Sequence, residues 1–232
     1  MPYVLPPAAV PSVPVHGDAD ARFAVRRIYC VGRNYVDHAK EMGFTGREPP
    51  FFFLKPADTL LAVGAGVTGE MHYPSLTQDL QHEVELVVAI GVGGRDIAAQ
   101  DALSHVWGYG VGLDMTRRDL QGEAKKQGRP WCIGKAFEES APIGELRPAA
   151  DCRIDAETEI RLDVNGNTRQ RSTIGKLIWS IPEIIEHVSR AWTLAPGDLI
   201  LTGTPEGVAA VGRGDTLEAS VSGVGSLRLK IV

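Results

Sequence analysis

The segment HEVELVVAIG, residues 82–91, sets Val84, Leu86, Val87, Val88, Ala89 and Ile90 side by side, a pattern that predicts a strand buried on both faces. Glu83 and Glu85 interrupt it, two residues apart and therefore on one face. RRIYCVGRNY (26–35) predicts a strand from Ile28 to Val31 that ends at Gly32. FFFLKP (51–56) predicts a short buried strand stopped by Pro56, and VWGYGVGLD a Gly-rich strand ending at Asp114. Around Asn165-Gly166 the alternation on both sides predicts a hairpin. DLILTGTP, DTLEASVSG and SLRLKIV read as further short strands.

Helical signals are fewer. NYVDHAKEMG predicts a short helix stopped by Gly43, and AAQDALSH one over 98–106. TRRDLQGEAKKQG (116–128) has Thr116 as a cap, Asp119 three residues on and a glycine stop. Ser180 to Glu183 forms a capping box before a helix whose Ile181, Ile184, Ile185, Val188 and Trp192 share one face. Strands outnumber helices, so the expected fold is α+β and β-rich, a rolled mixed β-sheet with a few outer helices.

With 232 residues and 44% hydrophobic content, one core is the default. MPYVLPPAAVPSVPV lacks a basic n-region, and its prolines break any signal-peptide helix. Residues 1–16 read as an extended Pro-rich arm lying on the body or on a partner subunit. The division expected is an arm over 1–24 and a single catalytic domain over 25–232. A net charge of -5 and a pI near 5.7 argue against nucleic acid as partner. No apolar run reaches the length of a membrane span. Cys30, Cys132 and Cys152 are odd in number and widely spaced, which fits small buried hydrophobes in a reducing cytoplasm.

The two acids in an apolar strand need compensation, because like charges that close cost desolvation and raise each other's pKa. A divalent cation supplies it, and carboxylates are hard ligands for Mg²⁺, Mn²⁺ or Ca²⁺. Asp114, at the end of another uncharged run, is the natural third ligand. No lysine or arginine stands nearby in sequence to pair with both acids. The alternative is a solvent-facing strand with Asp114 opening a helix. His38 and Glu41, three apart, can make a carboxylate-oriented general base or a plain surface pair. Arg118 and Gln121 share a helical face just beyond Asp114, where an arginine can clamp a substrate carboxylate. Lys55 and Lys135 each sit in apolar company and either stabilise a developing oxyanion or snorkel outward. Thr202 and Thr204 in LTGTP either hold a carboxylate or form a turn. Gly64, Gly66 and Gly69 spell a dinucleotide motif, but no helix signal follows.

GRNYVDHAKEMG, PFFFLKPADTL, HEVELVVAIG, GVGLDMTRRDLQ, GRPWCIGKAFEESAPIG and LILTGTPEGV together resemble, in order, the fumarylacetoacetate hydrolase family, from about Arg26 to the C-terminus. The Pro-rich arm and DMTRRDLQ look most like its bacterial acylpyruvase branch, which acts on fumarylpyruvate in gentisate degradation. The resemblance implies a homodimer that uses Mg²⁺ or Mn²⁺ held by Glu83, Glu85 and Asp114. It implies that His38 and Glu41 are the water-activating pair of a lid and that Lys135 is the catalytic lysine. Arg118, Gln121 and Thr204 match substrate-contacting positions, and Arg33 adds a further contact. The separate N-terminal domain of larger family members is replaced here by the short arm. The implied activity is hydrolytic carbon–carbon cleavage of a small-molecule acylpyruvate, with 3-fumarylpyruvate giving fumarate and pyruvate as the leading case. Oxaloacetate decarboxylation through the same enolate is the rival reading, and a non-catalytic metal-binding module the third.

Overall fold

The computed structural model describes residues 3–36 and 47–232. Its centre is the predicted strand, observed as Val84–Ile90 with all seven residues buried. Val84, Leu86, Val88 and Ile90 enter the larger of two apolar cores, while Val87 and Ala89 enter the smaller one on the opposite face. A strand dry on both sides explains the absence of alternation in its sequence. Glu83 and Glu85 continue the Val87–Ala89 face towards the start of the strand, where the smaller core ends.

This strand lies in the middle of an eight-stranded mixed sheet. The order along the main path is Phe51–Lys55, Arg27–Gly32, Asp198–Leu201, Val84–Ile90, Val106–Leu113, Ala141–Ile143, Leu60–Ala62, and Arg147–Pro148 pairs with Val106–Leu113. A second sheet of five strands runs Asn167–Thr173, Glu159–Val164, Thr216–Val221, Gly225–Ile231, Thr68–Met71. Its Ile160, Leu162, Val164, Leu217, Ala219, Val221, Leu227, Leu229 and Ile231 close the larger core from the other side. Each of the larger of these side chains contributes about 1.5–3 kcal/mol by leaving water. The result is the expected rolled mixed β-sheet. Asn165 and Gly166 take the left-handed φ values, 52° and 75°, of a tight hairpin turn. The Ser180–Glu183 capping box is present and opens the Ile181–Ala191 helix, whose Ile181, Ile184, Ile185 and Val188 are buried.

Three local expectations change. Ser12–Val15 and Asp18–Ala24 pair as a β-hairpin, and Val13 is wholly buried in the smaller core. The apolar valine docks this part of the N-terminal region on the body, while Tyr3 to Val10 lie exposed. The helix expected over 98–106 is only a 3₁₀ turn, Ala102–His105, because Val106 is already drawn into the main sheet. The helix expected from Thr116 begins at Arg118, since Thr116 and Arg117 pair instead with Leu80–Gln81. The segment between Pro56 and Gln81 also carries the short strands Leu60–Ala62, Thr68–Met71 and Leu80–Gln81. The helix expected at NYVDHAKEMG falls largely outside the described residues.

Candidate active site

The ladder between Val84–Ile90 and Val106–Leu113 sets the geometry. Val84 faces Leu113 and Glu85 faces Gly112, and beyond the ladder the Asp114 amide donates to the Glu83 carbonyl at 2.9 Å. Asp114 therefore arrives beside the two glutamates because its strand ends where theirs begins. One ligand oxygen from each of Glu83, Glu85 and Asp114 lies within 4.8 Å of the others, and all three residues are buried.

Two cations far away in sequence reach Glu83. Lys135 Nζ donates to Glu83 Oε2 at 2.9 Å, to Asp114 Oδ2 at 2.6 Å and to Thr116 Oγ1 at 2.7 Å. Arg118 Nη2 donates to Glu83 Oε1, while its Nε and Nη1 hold Gln81 and Gln121, each at 2.7 Å. Lys55 Nζ lies 2.9 Å from Asp114 Oδ1, an ion pair by distance though not an aligned hydrogen bond, and donates to the carbonyls of Met115 and Lys135. Both lysines are buried, Lys55 at 0% and Lys135 at 2% exposure, so neither snorkels. Burial works against the Lys135 ammonium, but Asp114 and Glu83 outweigh it and raise its pKa.

Glu85 is different. It is 1% exposed, and among the described residues it accepts one hydrogen bond, from the Gly203 amide at 2.6 Å, with no cation in contact. Burial, then the charges of Asp114 and Glu83, push its carboxyl well above the usual range. A buried carboxylate beside two others is the fit expected of a divalent cation's ligand, because the ion removes the cost of ionising it. The three hard oxygen donors suit Mg²⁺ or Mn²⁺.

Local sequence explains how the remaining parts reach the site. Lys135 sits on the four-residue helix Cys132–Lys135, where a Cβ on Gly134 would lie 2.9 Å from the Gln121 backbone nitrogen. Glycine there lets the short helix close against Arg118–Lys126. In LTGTP, Thr202 donates twice to the Leu86 carbonyl, through its amide at 3.1 Å and its hydroxyl at 3.0 Å. That clamp aims the Gly203 amide at Glu85. Gly203 holds φ +101°, and a Cβ on it would meet Asn34 Cβ at 2.7 Å, so only glycine fits. Arg33 also takes a left-handed φ, 56°, the kind of outlier that clusters at functional sites.

Arg33, Arg118, Gln121, Lys135 and Thr204 line one recess with Glu83 and Glu85, and Phe51, Phe53 and Trp131 form its aromatic wall. Asp114 lies beneath, against both lysines. Sequence reasoning missed Thr116, read as a helix cap, and the aromatic wall. Phe51 and Phe53 carry the period-two signal of one strand face; Trp131 gave none. His38 and Glu41 lie outside the described residues. On either side of them in sequence, Asn34 holds the backbone of Trp179 and Thr202, and Arg47 pairs with Glu183 and lies over the Trp179 ring at 4.1 Å. Arg33, next to Asn34 in sequence, stands on the wall of the recess.

The model of the fumarylacetoacetate hydrolase C-terminal family matches residues 27–232. The chain belongs to the fumarylacetoacetate hydrolase family. Its fold superposes on fumarylpyruvate hydrolase from Pseudomonas aeruginosa, solved in complex with Mn²⁺ and pyruvate, with a TM-score of 0.97 and 53% identity over 100% of this chain and 99% of that one. It is 43% identical over 206 residues to a mitochondrial oxaloacetate tautomerase of Rattus norvegicus, covering 89% of this chain and 91% of the relative. It is 40% identical over 199 residues to a mitochondrial oxaloacetate decarboxylase of Dictyostelium discoideum, covering 86% of this chain and 90% of the relative. These relatives thus comprise a hydrolase, a tautomerase and a decarboxylase. Among the described residues no helix is long and apolar enough to cross a membrane.

Proposed function

We propose that the protein hydrolyses the carbon–carbon bond of an acylpyruvate, 3-fumarylpyruvate above others, to release pyruvate and the acyl acid. The observation that carries this reading is the buried Glu83–Glu85–Asp114 set with Lys135 against it, in a fold that superposes at a TM-score of 0.97 on a fumarylpyruvate hydrolase. Glu83, Glu85 and Asp114 would hold Mg²⁺ or Mn²⁺, which when bound would supply Lewis-acid activation of the dicarbonyl.

The chain's own residues do the rest. Glu41 orients His38, which takes a proton from water, and the water oxygen bonds to the distal acyl carbon. The bond between that carbon and the pyruvyl methylene then breaks, its electron pair leaving as the enolate. The Lys135 ammonium, kept charged by Asp114 and Glu83, stabilises the enolate oxygen. The proton taken by His38 returns to the methylene carbon and gives pyruvate. Arg118, with Gln121 fixed to it, and Arg33 face the recess and suit substrate carboxylates. Phe51, Phe53 and Trp131 exclude water from the reacting end.

The tautomerase and decarboxylase relatives favour a second reading, oxaloacetate as substrate through the same enolate without attacking water. Turnover of fumarylpyruvate, acetylpyruvate and oxaloacetate with Mn²⁺, side by side, decides between them. The hydrolase reading requires fumarylpyruvate to give the highest kcat/KM. It also requires His38→Ala to retain Mn²⁺ binding while kcat falls by about 10²–10⁴. Near wild-type hydrolysis in that variant would remove the water-activation role. The reading further takes the protein as a cytoplasmic homodimer, in keeping with its three free cysteines. Light scattering at working concentration tests the dimer.

A further inference from the structure

Gln170 lies on the Asn167–Thr173 strand of the five-stranded sheet, away from the acids in sequence, and is wholly buried. Its amide has four partners, and two of them fix which end is which. The Val84 amide can only donate, so the atom 3.1 Å from it is Oε1. The Pro205 carbonyl can only accept, so the atom 2.8 Å from it is Nε2. The same Nε2 donates to Thr204 Oγ1 at 2.8 Å. His82 Nδ1, 2.9 Å from Oε1, must then carry the proton that joins them.

A consequence follows for Thr204. Its oxygen is an acceptor towards Gln170, so its own proton points elsewhere. Among the described residues nothing accepts that proton, and Thr204 lines the recess with Glu85 and Lys135. Reversing the amide would set Oε1 against the Pro205 carbonyl and Nε2 against the Val84 amide, two repulsive contacts in a dry site. The neighbours thus force the amide one way, and the amide forces the hydroxyl.

We propose that Gln170 is a positioning residue that turns the Thr204 hydroxyl proton into the recess, where it is donated to an oxygen of the bound keto acid. The identity of that keto acid rests on the acylpyruvate reading. Gln170 also grips the Val84 amide between the two glutamates, so one side chain sets the metal-binding strand and the Thr204 loop in register.

The test is a double-mutant cycle read in two ways: kcat/KM for fumarylpyruvate, and the Kd of pyruvate for the Mn²⁺-loaded protein. Thr204→Val removes the donor, and Thr204→Ser keeps it. Gln170→Glu retains an acceptor for Val84 but replaces the donor by an oxygen that claims the Thr204 proton. Gln170→Met removes both at similar volume. Thr204→Val and each Gln170 variant should lower kcat/KM and weaken pyruvate by about tenfold, the usual worth of one hydrogen bond at a binding site. Each double variant should also lose about tenfold, while Thr204→Ser stays within about threefold of the parent. A hundredfold loss in the doubles, or Gln170 variants that bind pyruvate like the parent, would overturn the proposal. So would loss of Mn²⁺ binding in both Gln170 variants, which would assign Gln170 to the fold alone. If the parent fails on fumarylpyruvate yet the pyruvate cycle is non-additive, the acylpyruvate reading falls and the role of Gln170 stands.

Discussion

Glu85→Gln should move stability in opposite directions with and without metal. In the metal-free protein Glu85 is buried beside Asp114 and Glu83 with only the Gly203 amide to help it, and its carboxyl is pushed well above the usual range. A raised carboxyl pKa means that folding stability is fully present below the unfolded pKa and is lost as pH rises through the folded one. With an unfolded value near ~4.3 and about 1.36 kcal/mol per pH unit, the cost reached by pH 7 is at most about 3.7 kcal/mol. Glutamine keeps the acceptor for Gly203 and removes the titration. The metal-free variant should therefore gain stability at pH 7, by no more than that bound, and much less at pH 5, where the same reasoning allows at most about 1 kcal/mol. Mn²⁺ at a hundred times its Kd should stabilise the parent by about 2.7 kcal/mol and the variant hardly at all. Thermal melts in chelator and across a Mn²⁺ titration, at pH 5 and pH 7, read both effects. A lower metal-free Tm in Glu85→Gln, or an undiminished Mn²⁺ shift, would refute the assignment of Glu85 as an uncompensated ligand.

Lys135→Met should leave Glu83 and Asp114 short of a buried partner, destabilise the metal-free protein by about 3–5 kcal/mol in denaturant melts, and cut kcat by about 10²–10³ with Mn²⁺ restored. Gly203→Ala should weaken Mn²⁺ binding measured by calorimetry, because φ +101° and the 2.7 Å approach to Asn34 force the amide away from Glu85. Glu183→Ala removes the capping box and the Arg47 contact and should cost about 1 kcal/mol at pH 7. Its parent carboxyl, lowered to about 2 chiefly by the Ser180 hydroxyl, adds stability above the unfolded pKa that is lost as pH falls through about 2, so melts of the two proteins should converge in acid.

Much of this site was legible in the sequence because strand periodicity is exact. Two acids two residues apart must share a face, and an acid ending another uncharged run can be delivered beside them when the two strands pair, as Val84–Ile90 and Val106–Leu113 do. What periodicity could not show was which cations come to meet them. Lys135 crosses from a four-residue helix and Lys55 from a strand three places from Val84–Ile90 across the sheet, and such contacts depend on tertiary closure rather than local pattern. Thr116 was misread for a related reason. A threonine before RRDLQ has the local chemistry of a cap, but pairing with Leu80–Gln81 delays the helix and hands the hydroxyl to Lys135. Gln170 gave no signal, since its role exists only where two sheets meet.

The charges in contact with the three acids narrow the substrate class. Glu83, Glu85 and Asp114, once ionised, carry three negative charges, and Lys55, Lys135 and Arg118 return three positive ones. A divalent cation then leaves the pocket with two positive charges in a buried site, where charges about 4 Å apart interact at about 4 kcal/mol even with an effective dielectric of ~20. A dianion neutralises that excess, and a monoanion leaves half of it standing. Fumarylpyruvate and oxaloacetate both carry two carboxylates; acetylpyruvate carries one. Charge therefore ranks acetylpyruvate last, and length separates the other two: the second carboxylate of fumarylpyruvate extends several bonds past the scissile carbon. Arg33 stands on the recess wall. In the proposed mechanism the group suited to the far carboxylate and the base for the carbonyl next to it are close neighbours in sequence, which would tie recognition of the longer substrate to activation of its water.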